Sequence, residues 1–249
     1  MKVVLVAVVF LLAQAGIPNA EAASYEPLLA LQAGPTGPEN SGLLKYTDGF
    51  YYGVSKSGGS YGYGTLYRVN ELGEITVLVH FSGNSGIAKG RRPQCGLLDD
   101  GNGHLWGTTV LGGVGNFGTG FGTVFRFNPV TWDFTSVASF TGTTGFAKGS
   151  LPQGGVQKDA NGQIWGTTSA GGSGGNGTIF KIGASNLVFS HVLDFSGNDG
   201  SSRGKAPFGE LKWDENSQRF LGSTAEGGFN GLGTVFAFNP AANQFTTLA

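Results

Sequence analysis

The chain has 249 residues, 46 of them glycine, and only 12% are charged, against roughly 25% in an ordinary domain. A net charge of −1 gives no electrostatic basis for a nucleic-acid partner. Aromatic residues make up 12%, including 19 Phe, and they recur in register with the glycines. That excludes a disordered Gly-rich tract and suits short strands joined by tight turns.

Residues 1–22 read as a secretory leader. Lys2 supplies a positive start, Val3 to Ala13 an apolar run, and Ala20-Glu21-Ala22 a small-x-small cleavage pattern. Cleavage after Ala22 is expected, with the mature chain secreted or at the cell surface. No other stretch is long and apolar enough to span a membrane. Leu28 to Gly34 then reads as one stray strand with no partner before it.

A repeat fills the remainder. G-T-T-S-A-G-G at Gly166, closing with G-T-I-F at Gly177, recurs as G-T-T-V-L-G-G at Gly107 and G-S-T-A-E-G-G at Gly222. Gly53 begins a worn copy, G-V-S-K-S-G-G, with Val54-Ser55 in place of Thr-Thr. The leading glycines are 54, 59 and 56 residues apart, so a supersecondary unit is repeated in tandem. The copies cover approximately 35–90, 91–149, 150–206 and 207–249 as one domain.

Each copy predicts four strands. The first has Gly42 to Tyr46, Phe50 to Ser55, Gly64 to Val69 and Ile75 to Phe81. The second has Gly96 to Leu98, His104 to Val110, Gly122 to Phe127 and Phe134 to Phe140. The third has Gly155 to Gln157, Gln163 to Thr168, Gly177 to Ile182 and Val188 to Phe195. The fourth has Glu210 to Trp213, Arg219 to Thr224, Gly233 to Phe238 and Phe245 onward. Turn chemistry separates them: D-G-N-G at Asp100, D-A-N-G at Asp159, and Asn-Pro at Asn128 and Asn239. No helical stripe appears in the mature chain. The linkers between copies repeat as well, F-S-G-N-S-G-I-A-K-G-R-R-P from Phe81 and its counterparts from Phe140 and Phe195.

Stacked radially, four-stranded meanders bury both faces, which predicts an all-β fold, a β-propeller of about four four-stranded blades or part of a larger one. Leu28 to Ala33 competes with Phe245 to Ala249 for the place beside the third strand of the last blade. The pattern G-G-x-x-G-x-G-T-V-F, then F-S-G, then P-x-x-G-L-x-x-D-x-x-G-x-L-W-G-T-T-x-x-G-G resembles the GloVer tandem repeat of exported proteins, and is kelch-like in its double glycines. The resemblance covers nearly all of residues 35–245. It implies an exported propeller and carries no catalytic residues.

Antiparallel alternation puts the Gly-rich segments and the linkers on one side. That side would gather Tyr61, Tyr63, Phe117, Phe121 and Phe229 near Lys89, Arg91, Arg92, Lys148, Arg203 and Lys205. Aromatic faces beside donors suit a carbohydrate or an extracellular protein partner. The leading expectation is therefore a non-catalytic binding module with no cofactor and no metal. Two alternatives are a polysaccharide hydrolase or lyase, with Asp194, Asp199, Asp214 and Glu226 as candidate carboxylates, and a structural repeat module. Asp100 and Asp159 are explained as turn residues, and Asp194 to Gly200 lacks the remaining ligands of a calcium loop. His80, His104 and His191 sit at non-equivalent strand positions and form no ligand set. Cys95 has no partner thiol and stands where the next copy has Gly154, so a buried structural thiol is expected. Asn176-Gly177-Thr178 fits a glycosylation pattern that the repeat itself generates.

Overall fold

The computed structural model describes residues 42–115 and 119–249. The leader, the strand expected at Leu28 to Ala33, and Phe117 lie outside the described residues. Sixteen strands form four antiparallel sheets, each in sequence order, and the described residues contain no helix.

Sheet 1 holds β1 (Leu44–Lys45), β2 (Tyr51–Ser55), β3 (Thr65–Val69) and β4 (Ile75–His80). Sheet 2 holds β5 (Leu98–Asp99), β6 (Leu105–Thr109), β7 (Thr123–Phe127) and β8 (Phe134–Ser139). Sheet 3 holds β9 (Val156–Lys158), β10 (Ile164–Thr168), β11 (Thr178–Ile182) and β12 (Phe189–Asp194). Sheet 4 holds β13 (Lys212–Asp214), β14 (Arg219–Thr224), β15 (Thr234–Asn239) and β16 (Gln244–Thr247). These are the blades of a β-propeller. The first strands are short, and β9 contacts both β5 and β13, so they lie innermost and β4, β8, β12 and β16 outermost.

Three apolar layers join neighbouring sheets. Tyr52, Val54 and Leu66 of sheet 1 meet Leu97, Leu105, Phe125 and Phe127 of sheet 2. Trp106 and Val124 of sheet 2 meet Val156, Ile164, Phe180 and Ile182 of sheet 3. Trp165 and Ile179 of sheet 3 meet Leu211, Phe220, Phe236 and Phe238 of sheet 4. One face of each sheet thus presents the residue before the leading Gly, and the other presents the Phe of G-T-V-F.

That leading Gly has a packing reason. Gly166 pairs with Phe180 across the ladder, and a Cβ at Gly166 would stand 2.6 Å from Phe180 Cζ. The ring lies flat across the glycine, and Phe125 over Gly107 and Phe236 over Gly222 repeat the arrangement.

Two expectations change. Both edges of β15 are taken by the chain's own strands, β14 on one side and β16 on the other, with Val235 N–H donating to the Ala249 carbonyl at 2.8 Å. The place beside β15 is thus held by β16. A hairpin through Asn239, whose Oδ1 accepts from Ala241 and Ala242 N–H at 3.0 and 3.1 Å, closes a far shorter loop than the one back to the N-terminus. His104 lies just outside its strand, in the turn before Leu105.

Candidate functional site

The side expected to bind is the side on which neighbouring sheets are sewn together. Arg91 exchanges both backbone hydrogen bonds with Leu111, Ser150 with Ala170, and Lys205 with Glu226, so each linker pairs with the Gly-rich segment of the sheet that follows. The next residue reaches the sheet before: Arg92, Leu151 and Ala206 N–H donate to the Tyr63, Phe121 and Asn176 carbonyls at 2.9, 2.9 and 3.0 Å. All three have left-handed backbone, with φ of 58°, 55° and 54°. A side chain there crowds its own carbonyl, so the strain is held by the bonds on either side.

Beneath the seam lies a buried hydroxyl pair in every sheet. Ser55–Thr65, Thr109–Thr123 and Thr168–Thr178 are 2.8 Å apart, and Thr224–Thr234 2.9 Å. Ser55 keeps the hydroxyl, so the worn first copy keeps the function of its motif.

Most of the expected binding residues serve this sewing. Arg91 lies over the Tyr63 ring at 5.0 Å, and Tyr63 itself covers Gly83. Phe121 covers Gly142 in the same way. Lys205 Nζ stands 2.6 Å from Glu226 Oε2, and Lys148 Nζ donates to Ser173 Oγ at 3.0 Å. Lys89 is half-buried and its carbonyl accepts from the Thr123 hydroxyl at 3.3 Å. The counterparts of Arg92 are Leu151 and Ala206, so its backbone and not its charge is what the seam requires. Arg203, Tyr61 and Phe229 remain open, the two rings 61% and 87% exposed.

Three of the carboxylates named as acid–base candidates, Asp194, Asp214 and Glu226, are engaged too. Asp194 Oδ1 is 2.8 Å from His191 Nε2. Burial pushes the Asp194 carboxyl up, but hydrogen bonds from Ser173 and His191 outweigh it and hold the group below its ordinary value. The Asp214 carboxyl is held low by the Ser217 hydroxyl, which donates at 2.5 Å, and by nearby backbone N–H groups. Asp199 accepts from the Ser196 hydroxyl through its backbone carbonyl and not through its carboxylate. Among the described residues no three His, Cys, Asp or Glu side chains gather as for a metal ion. Burial raises the Cys95 thiol to about 11, and its Sγ donates to the Gln153 carbonyl at 2.6 Å.

A cleft opens elsewhere, on the outer rim between sheets 3 and 4. Its volume is about 380 Å³, with Leu193 and Phe245 among its walls together with Ser201, Ser202, Ala242, Asn243 and Gln244. One linker position distinguishes this rim from the preceding one. Between sheets 2 and 3 that position is Phe146, whose ring stands 6.0 Å from Phe189 of β12. Between sheets 3 and 4 it is Ser201, and Phe245 takes the place of Phe189. The benzyl group of Phe146 is itself 74% exposed and leans over the rim there, and Ser201 puts no ring at the corresponding place.

The profile of the Gloeobacter/Verrucomicrobia repeat matches residues 19–203 and again 122–249. The chain belongs to this repeat family. Solved structures similar to it are propeller-like. A gluconolactonase of Xanthomonas campestris is 13% identical over 83% of this chain and 60% of its own, with a TM-score of 0.51. Streptogramin B lyase is 14% identical over 86% and 56%, with a TM-score of 0.50. The extracellular domain of the hybrid two-component system BT4673 of B. thetaiotaomicron is 14% identical over 74% and 20%, also at 0.50. The chain spans less than two thirds of the length of each. At these identities the likeness is one of fold alone. No curated protein sequence matches the chain.

Within this Gloeobacter/Verrucomicrobia repeat chain, the residue change beside the rim cleft is legible in the sequence. The linkers read G-I-A-K-G from Gly86, G-F-A-K-G from Gly145 and G-S-S-R-G from Gly200. The loss of the large apolar residue in the third is visible by alignment, but what it uncovers depends on the neighbouring sheet. No helix among the described residues is long and apolar enough to cross a membrane.

Proposed function

We propose that the protein is an exported, non-catalytic binding module that takes a carbohydrate in the rim cleft between sheets 3 and 4. The observation that carries this reading is the lining of the cleft: apolar groups of Leu193 and Phe245 beside the hydroxyls of Ser201 and Ser202 and the amides of Asn243 and Gln244. A pyranose ring has the same division, with C–H faces that pack on apolar surface and hydroxyls that both donate and accept. The volume of about 380 Å³ lies in the range of small-ligand sites. Export is proposed from the leader pattern at residues 1–22, and it would place the module where polysaccharides are met.

The test is a glycan array followed by calorimetry on Ser201→Phe, which restores the ring found at Phe146 and fills the cleft. The reading predicts at least one glycan ligand for the wild type and loss of its binding in Ser201→Phe, with an unchanged melting temperature. Binding unaffected by Ser201→Phe would move the ligand off the rim. An array with no glycan ligand would sink the carbohydrate reading and turn attention to a protein partner.

A further inference from the structure

Three interfaces between sheets are built alike, and the described residues carry the two halves of a fourth that they do not close. The rear face of each sheet presents the residue before the leading Gly and the residue after G-T. In sheets 1 to 3 these are Tyr52 and Leu66, Trp106 and Val124, Trp165 and Ile179, none more than 3% exposed, because the next sheet covers them. In sheet 4 they are Leu221 and Val235, 40% and 47% exposed. Ser223 between them is exposed, where Thr108 and Thr167 are 2% exposed.

The front face of sheet 1 is complementary. Its Leu43 and Val69 occupy the positions of Leu97 and Phe127 in sheet 2, Val156 and Ile182 in sheet 3, and Leu211 and Phe238 in sheet 4. Those six are buried against the preceding sheet. Leu43 and Val69 are only half-buried. The centre of each face is apolar, Leu221, Val235 and Ala237 on sheet 4 and Leu43 and Val69 on sheet 1, with Lys212, Arg219 and Ser223 around the first, and each face has the positions that its counterpart meets three times within the molecule.

We propose that the rear face of sheet 4 docks on the front face of sheet 1 of a second copy of this chain, and that two such contacts close a two-fold ring of eight sheets. Size argues for the closed form. Four strands about 4.8 Å apart and about five residues long give a face of roughly 300 Å². A single head-to-tail contact then buries roughly 600 Å² counting both sides, short of the ~1,200 Å² of specific interfaces. A ring makes the contact twice and reaches that size, and closure also prevents the open filament that a heterologous contact otherwise builds. Val235 lies on the face of sheet 4 opposite to Phe245, and Val69 lies in sheet 1, so this association does not rest on the ligand reading.

Sedimentation of the full mature chain tests it. The wild type is expected as a dimer at micromolar concentration. Val235→Arg and Val69→Glu each bury a charge at both contacts of the ring and are expected as monomers, with dimerisation weakened by roughly a hundredfold or more. An equimolar mixture of the two variants keeps one contact unaltered, between sheet 4 of the Val69→Glu chain and sheet 1 of the Val235→Arg chain, and opposes the introduced Arg to the introduced Glu in the other, so both contacts of the ring can form. It is expected to give a heterodimer that neither variant forms alone, a result that misfolding of either could not produce. Leu72→Arg, on an exposed turn of sheet 1, should remain dimeric. A wild type that stays monomeric throughout, or a Val235→Arg chain that dimerises as the wild type does, overturns the proposal.

Discussion

The Trp106 indole N–H donates to Asp100 Oδ2 at 2.9 Å across the turn that joins β5 to β6. The other oxygen, Asp100 Oδ1, accepts from Asn102 and His104 N–H at 2.7 and 3.1 Å. Sheet 3 repeats the device with Trp165 and Asp159, also at 2.9 Å. Sheet 1 performs it with a phenol, Tyr52 donating to Asp48 Oδ2 at 2.6 Å. In sheet 4 the ring position is Leu221, and Asp214 turns to the Ser217 hydroxyl instead. The carboxylate of the turn therefore satisfies a donor that the sheet interface has cut off from water.

Asp100→Ala should destabilise the fold by about 3 kcal/mol, because it leaves a buried indole N–H and two backbone donors without acceptors. Asp100→Ala combined with Trp106→Phe should cost less than the sum of the two single changes. Asp214→Ala should shift the urea midpoint little. Urea unfolding of the four variants checks all three statements.

Gly166→Ala should cost about 1–3 kcal/mol, since the new methyl group meets the Phe180 ring and neither can move without disturbing the sheet interface. Gly166→Ala with Phe180→Leu should recover part of the loss. Thermal melts of the single and double variants read the coupling directly.

Thr109→Val removes a hydroxyl that donates to the Leu111 carbonyl at 2.8 Å and pairs with Thr123. The shape is kept and the bonds are lost, so about 1–2 kcal/mol is expected. Amide exchange should rise at Arg91 and Leu111, whose paired N–H groups lie above that hydroxyl. Equal exchange in wild type and variant would show that the hydroxyl pair does not hold the seam.

Asp194 gives a pH dependence of known sign. Its folded carboxyl is held below the unfolded value of about 3.9, so it binds a proton less readily when folded. Its contribution is fully present above that value and is lost as pH falls through the lower, folded one. Asp194→Asn should therefore be less stable than the wild type at neutral pH, with the gap closing below about pH 4. A gap that widens in acid would reverse the assignment.

Cys95 should be inert in the folded chain. With the thiol near 11, thiolate is scarce at pH 8, and the Sγ proton is committed to the Gln153 carbonyl. Alkylation should be slow in buffer and fast in denaturant. Rapid labelling of the folded protein would contradict the burial.

The strands were legible because their signals are local and repeated four times. Every strand predicted within the four copies is found, with ends shifted by at most about two residues. Asp100 and Asp159 were correctly placed in turns, yet the turn alone did not disclose the indole each one meets. Lys205, Lys148 and Arg91 read as a basic surface, and what the structure adds is that each meets a neighbour, Glu226, Ser173 and Tyr63 in turn. Those partners come from neighbouring elements, and no spacing within a motif announces them. The rim cleft is the reverse case, a change of residue plain in the linkers whose consequence lies in another sheet.

The order of strands, the turns and the side that gathers the Gly-rich segments were determined by the sequence by itself, since each follows from a period of two along a strand and from turn chemistry at fixed offsets. Tertiary structure alone decided which polar side chains are consumed in joining sheets, which strand lies beside β15, and which faces stay uncovered. Those outcomes depend on contacts between residues far apart in the chain, where loop closure and the shape of the neighbouring sheet select among partners that local preference leaves equal.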